Sequence, residues 1–119
     1  MNSSERRLYP RHETEIAVTI HKDNEEIPAT MINVSEGGIE ITSNRDFFPG
    51  TKVNITLNYI DDYTIHGTVK WAGLVSQYDK THYRVGIEAD SILIESEDET
   101  AETPDRSEFV KRLLSEPKK

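Results

Sequence analysis

Apolar and polar residues alternate along most of this chain, which is the pattern of β-strands with one buried face. Short segments rich in Gly, Asn, Asp or Pro separate the alternating stretches, as turns do. Six strands follow from the pattern, and their residues are Ile16, Val18 and Ile20; Ile27 to Asn33; Ile39 and Ile41; Val53, Ile55, Leu57 and Tyr59; Ile65, Gly67, Val69 and Trp71; and Tyr83, Val85 and Ile87. Closely spaced strands of this kind predict an all-β fold, either a small antiparallel barrel or a sandwich.

The two ends of the chain lack this alternation. Residues 1–13 are polar, and we expect them to form an arm that is flexible without a ligand. The strands occupy residues 14–90, and the acidic segment 91–102 is expected to be a solvated linker. A C-terminal helix is predicted over residues 103–116, with a Thr-Pro pair at its start and an apolar stripe that suits packing on the strands or on a partner.

Composition narrows the class of protein. The chain has 119 residues, enough for one domain, and no cysteine, so neither a disulfide framework nor a thiolate metal site is possible. No apolar run approaches the roughly 20 residues that span a bilayer. The twin arginines Arg6 and Arg7 lack the apolar stretch of an export signal, and we expect a cytoplasmic protein. A net charge of -8 argues against general affinity for DNA, RNA or an anionic membrane.

Two short polar motifs carry the most specific chemistry. The first, Arg7-x-x-x-Arg11, offers guanidinium forks that suit phosphates and the Hoogsteen edge of guanine. In an extended arm the two side chains point to one side, about 13 Å apart, a span that a dinucleotide could bridge. The second, Asn33-x-Ser35-x-x-Gly38, offers an amide, a hydroxyl and a position without a side chain, which permits close approach of a ligand or an unusual dihedral. Taken separately, the motifs also fit exposed charges and a polar turn.

Trp71 is the only tryptophan, and two interpretations of it remain open. By the alternation it shares a face with Val69 and Ile65, which favours the core, but at the end of its strand it could stack on a guanine. Enzymatic patterns are weak, since Ser35 lacks the strand–turn–helix setting of a hydrolase nucleophile and the histidines have no metal-ligand spacing. We expect no catalytic residue, no metal and no cofactor.

In combination and order, the two motifs resemble those of the PilZ family, receptors for the bacterial second messenger cyclic di-GMP. The later stretch Tyr83-Arg84-Val85-Gly86-Ile87-Glu88 is similar to the hydrophobic-Gly-hydrophobic ending of that family, so the resemblance covers about residues 5–90. The resemblance implies a six-stranded antiparallel β-barrel followed by one α-helix, in agreement with the strand count.

The resemblance also implies roles for single residues. Arg7 and Arg11 would contact phosphates and guanine, while Asn33, Ser35 and Gly38 would line a pocket on the barrel side.

Further positions either extend the resemblance or depart from it. Some relatives place an aromatic residue near the ligand at the position of Trp71, and an arginine in the position of Arg6 accompanies binding of an intercalated ligand pair. Asn33 stands where many relatives have Asp, which exchanges an anionic acceptor for an amide. Ala89 stands where an aromatic residue usually closes the final strand.

The resulting prediction is a non-enzymatic, single-domain receptor for cyclic di-GMP. Its arm would order around the ligand and so change the surface offered to a downstream protein partner. The alternative is a PilZ-like adaptor that binds its partner without nucleotide, and the intact arginines count against it. Both a monomer and a homodimer are compatible with the sequence, as are one or two ligands per site.

Overall fold

Antiparallel strands make up most of the part of the chain that the structure describes, and a helix follows them. The computed structural model describes residues 11–57, 60–77, 80–95, 100–102 and 106–115. The elements in chain order are β1 (His12–Lys22), β2 (Glu25–Val34), β3 (Gly38–Ser43), β4 (Lys52–Leu57), β5 (Ile60–Gln77), β6 (Lys80–Glu95), β7 (Thr100–Glu102) and α1 (Arg106–Ser115).

Six of these strands are hydrogen-bonded to one another in a closed, barrel-like ring. The order around the ring is β1, β2, β3, β6, β5 and β4, and β4 returns to β1, with every pair antiparallel. Closing the sheet satisfies backbone groups that an edge strand would expose. The predicted all-β fold of six antiparallel strands with a C-terminal helix is confirmed.

The inward faces of the strands form the core of the ring. Each strand of the ring contributes side chains that are fully or almost fully buried, among them Val18, Ile20, Met31, Ile41, Ile55, Ile65 and Val85. The helix α1 adds Phe109, Val110 and Leu113 to this core, and the Phe109 ring meets Tyr63 edge to face with centroids 5.1 Å apart. The apolar stripe of the helix therefore packs on the strands.

Several boundaries differ from those that the sequence predicts. Strand β1 begins at His12, inside the expected arm, while residues 1–10 lie outside the described residues. Strand β6 continues to Glu95 and β7 pairs with it, so strand structure extends into the segment expected to be an acidic linker. The helix spans Arg106–Ser115, within the predicted range, and its expected Thr-Pro start lies outside the described residues.

The hairpin between β5 and β6 is the largest difference. The pattern gives strand residues only as far as Trp71 and again from Tyr83, whereas β5 runs on to Gln77 and β6 starts at Lys80, with paired residues along both stretches. Alternation does not reveal this part of the hairpin, because its side chains are not buried: Leu74, for example, is 63% exposed. The helix found in the described part of the chain is too short to cross a membrane.

Candidate functional site

A lateral row of residues crosses four neighbouring strands and forms the floor of the candidate site. Asn33 of β2 is paired with Glu40 of β3, Glu40 is paired with Gly86 of β6, and Gly86 is paired with Trp71 of β5. Neighbouring strands lie about 4.8 Å apart, so three such steps separate Asn33 from Trp71 by roughly 14 Å.

Two irregularities in the strand register change the direction of the side chains at the two ends of this row. Between Met31 and Asn33 the pairing of β2 with β3 shifts by one residue, and between Val69 and Trp71 the pairing of β5 with β6 does the same. A bulge of this kind re-aims the side chain that follows it. Trp71 consequently does not share the buried environment of Val69: its exposed fraction is 42%, against 1% for Val69.

The turn between β2 and β3 closes one side of the site. The Ser35 amide donates to the Gly38 carbonyl over 2.9 Å, and the Ser35 hydroxyl accepts from the Gly37 amide over 3.3 Å. The Gly37 carbonyl in turn accepts from the Ala89 amide over 3.1 Å. Ser35 thus shapes the turn through its amide and its hydroxyl, which both bond to backbone groups of the turn, and β6 holds the turn in place.

Two of the glycines that line the cavity are required by close packing. A Cβ at Gly38 would clash with the Ile87 carbonyl oxygen and would lie 3.2 Å from the Glu88 Cα. A Cβ at Gly86 would overlap the Trp71 indole, which covers this position. The unusual-dihedral alternative for Gly38 is wrong, because the described residues with positive φ are Asp23 and Gly50.

A buried carboxylate lies at the centre of the row. Glu40 is only 4% exposed although it follows the pattern of an outward-facing residue between the buried Ile39 and Ile41. The Arg84 side chain donates to Glu40 Oε2 through Nε and forms an ion pair with it through Nη2. On the other carboxylate oxygen, Glu40 accepts from Asn33 Nδ2 over 3.2 Å. Asn33 of β2 and Arg84 of β6 therefore cover this carboxylate, and Arg84 neutralises its charge.

Arg11 lies beside this carboxylate without being bound tightly to it. Its Nη1 is 3.9 Å from Glu40 Oε1, and its side chain is 46% exposed. This separation allows attraction between the charges but exceeds hydrogen-bond distance. The planar donors of Arg11 are therefore not consumed by Glu40 and can bind an anion bidentately.

These residues surround an open cavity of about 280 Å³. Besides the row, its lining includes Arg11, Ser35, Gly38, Lys70 and Glu88. Lys70 and Glu88 form an exposed ion pair with a separation of 3.3 Å. Partly apolar walls, one tryptophan face and a few converging charges are the usual composition of a small-molecule site.

The structure brings together much of what the sequence predicts for the site. Arg11, Asn33, Ser35, Gly38 and Trp71 all line the one cavity, although their roles toward a ligand remain predictions.

Some predicted residues lie outside the described residues, and other residues of the site escape prediction. The predicted residues Arg6 and Arg7 lie outside the described residues. The sequence does not single out Glu40 or Lys70, since Glu40 has the alternation of an ordinary surface charge. The described residues contain no group of His, Asp and Glu side chains suited to a metal ion.

Solved structures that share this fold include the following two. The Bacillus subtilis inhibitor of motility (MotI/DgrA) matches with a TM-score of 0.62 and 17% identity, over 92% of this chain and 49% of that chain. The K. pneumonia MrkH–c-di-GMP complex matches with a TM-score of 0.65 and 15% identity, over 91% of this chain and 51% of that chain. The chain thus spans about half the length of each, and the likeness at these identities is one of fold.

Family membership rests on the sequence itself. No curated protein gives a significant match. The sequence model of the PilZ domain family matches residues 5–102, which is most of the chain. The chain therefore belongs to the PilZ domain family, whose members are non-catalytic receptors for cyclic di-GMP.

Proposed function

We propose that this chain binds cyclic di-GMP in the cavity over the Asn33–Glu40–Gly86–Trp71 row and relays the binding to a downstream protein partner. The observation that carries the proposal is the convergence of Arg11, on the entry to β1, with the Asn33 strand end and the Trp71 indole on one cavity. Family membership supports the choice of ligand.

The ligand presents two phosphates and two guanines, and the cavity offers a partner for each kind of group. Arg11 binds a phosphate or the O6/N7 edge of a guanine through its fork. Trp71 stacks on a base, which suits an indole with a half-exposed face. Asn33 binds a base edge through its amide, and the turn containing Ser35 and Gly38 lets the ligand approach the backbone.

The segment before β1 supplies the remaining cations and the signal. Arg6 and Arg7 lie outside the described residues, and we assign them to the same ligand from the family resemblance. Because Arg11 directly precedes β1, a ligand held by Arg11 also positions the segment that leads into it. The surface formed by this segment and the ligand is then what a partner recognises. We place this event in the cytoplasm, with no role for DNA or RNA.

Titration calorimetry with cyclic di-GMP tests the proposal directly. We expect micromolar to sub-micromolar affinity, and we expect Arg11→Ala to weaken binding by roughly 1.5–3 kcal/mol, the scale for hydrogen bonds to charged groups. Arg11→Lys keeps the charge but loses the fork, so its affinity for cyclic di-GMP should lie between those of the wild type and Arg11→Ala.

The matched control is Arg45→Ala. Arg45 is also a partly exposed arginine, paired with Glu25 at 3.1 Å, but it does not line the cavity. Its removal should leave the affinity unchanged. Equal losses in the two variants would point to a general charge effect and would remove the site assignment.

Two further ligands separate this function from its competitors. GMP carries one base and one phosphate group and should bind more weakly. Single-stranded RNA should not bind, and the salt dependence for cyclic di-GMP should lack the steep slope of a polymer binder. A wild-type chain that takes up no cyclic di-GMP would leave the nucleotide-independent adaptor as the better explanation.

A further inference from the structure

We propose that Glu40 is a positioning residue, which orients the Asn33 amide so that Asn33 presents its Oδ1 atom as an uncharged acceptor to the ligand. This inference rests on the proposed function for the identity of the ligand. It assigns a role to a residue that neither binding motif contains.

The contact between the two side chains determines the orientation of the amide. Asn33 Nδ2 lies 3.2 Å from Glu40 Oε1, where the half-buried Asn33 side chain meets the buried carboxylate. A carboxylate only accepts hydrogen bonds, so the amide must turn its NH₂ group toward Glu40. The oxygen of the amide is then directed away from Glu40 and is available for a donor, such as the N–H groups of a guanine.

Glu40 can fix the amide because Glu40 is itself fixed. Its side chain is 5% exposed, and the guanidinium of Arg84 takes the opposite carboxylate oxygen, Oε2, through Nε and Nη2. The backbone register reinforces this arrangement, since Asn33 and Glu40 are cross-strand partners. The three side chains thus form a linear series in which Arg84 holds Glu40 and Glu40 holds Asn33.

The charges at the site explain why an amide is favoured at position 33. The proposed ligand is doubly anionic, and the Glu40 charge is tolerable because Arg84 and Arg11 flank it. An aspartate at position 33 would put a second carboxylate at hydrogen-bond distance from Glu40, and like charges this close repel strongly. The remaining charged groups on the cavity, Lys70 and Glu88, are paired with each other, whereas the Asn33 side chain donates to Glu40.

A double-mutant cycle measures the coupling between the two positions. The proteins are the wild type, Asn33→Asp, Glu40→Gln and the double variant, each titrated with cyclic di-GMP. We expect Asn33→Asp to weaken binding about tenfold, within the range of coupling for residues in contact. Glu40→Gln should weaken binding about threefold, because its single oxygen goes to the Arg84 guanidinium and its NH₂ group then faces the Asn33 amide, which has to turn round.

The double variant gives the diagnostic result. In the double variant, the new amide at position 40 can donate a hydrogen bond to the new carboxylate at position 33. This restores a single hydrogen bond with its direction reversed, so affinity should return to within about threefold of the wild type. The matched control is Glu88→Gln, which removes the same charge from the cavity wall at a residue without contact to Asn33. Glu88→Gln should not rescue Asn33→Asp.

Urea unfolding of the same proteins without ligand separates this inference from the proposed function. We expect Asn33→Asp to lower the unfolding midpoint and the double variant to recover it. A wild type that fails to bind cyclic di-GMP contradicts the proposed function, and the unfolding cycle then decides whether the Glu40–Asn33 contact is real. Additive effects on affinity, or rescue by Glu88→Gln, would overturn the positioning role even if the unfolding cycle shows coupling.

Discussion

Two cavities of nearly equal size lie along β3, yet their chemistry differs. The candidate site has about 280 Å³, and a second groove lined by residues 28–30, 42–44 and His82 has about 260 Å³. The candidate site gathers two cations, two carboxylates and a tryptophan, whereas the second groove has small neutral side chains and one imidazole. The volume of a cavity therefore does not identify the site in this fold; the groups that converge on it do.

The backbone explains the difference between the two cavities. Along the second groove the register of β2 with β3 is regular, with Ala29 opposite Ser43 and Thr30 opposite Thr42. The candidate site begins where the register shifts, before Asn33, and ends at the second shift, before Trp71. Irregular register re-aims side chains onto one spot, and regular register leaves them in alternating, parallel rows.

Gly38→Ala gives the largest expected effect and tests whether close backbone packing builds the candidate site. The added Cβ would clash with the Ile87 carbonyl, which belongs to the backbone and cannot rotate away. We expect the free energy of unfolding in urea to fall by about 2–3 kcal/mol, the scale of overpacking.

Gly73→Ala is the matched control for this change. A Cβ at Gly73 would meet no atom within 4 Å, and the strand backbone there suits alanine. Its unfolding free energy should stay within about 0.5 kcal/mol of the wild type. If both variants lost stability equally, the loss would reflect strand glycines in general, and the contrast between the packed and the open position would be wrong.

The sequence predicts the strands better than it predicts the site. Alternation reveals the strands because each has one buried face, and Val18, Ile55 and Ile65 are indeed fully buried. The same rule is misleading at Trp71, because the bulge before it adds one residue and moves the indole off the face of Val69. A register shift depends on the partner strand, which a single strand's pattern does not contain.

Glu40 shows a second limit of sequence patterns. Its alternation is that of any solvent-facing residue, and it is buried by Asn33 of β2 together with a contact from Arg84 of β6. This contact joins positions 44 residues apart, so no local pattern announces it. The motif residues were accessible to prediction for the opposite reason. Asn33, Ser35 and Gly38 lie in or beside one turn between β2 and β3, so residues that are near in sequence are also near in space.

Trp71→Ala tests the aromatic contribution that the second groove lacks. We expect the affinity for cyclic di-GMP to fall by about 1–2 kcal/mol, the scale of one base stacked on an aromatic ring. Because Trp71 is the only tryptophan, its fluorescence in the wild type should also change on titration with the ligand. Trp71→Phe should keep part of the affinity, and Leu74→Ala, on the same strand but away from the cavity, should keep all of it.

His82→Ala carries the smallest expected effect and tests the second groove directly. His82 supplies the imidazole of that groove, and its removal should change the affinity for cyclic di-GMP by less than about 0.3 kcal/mol, because the groove offers a dianion no fixed charge. Calorimetry under the conditions used for Trp71→Ala measures both variants on one scale. A loss at His82 as large as that at Trp71 would mean that the ligand occupies the regular part of β3. Irregular register would then not be what selects the binding cavity.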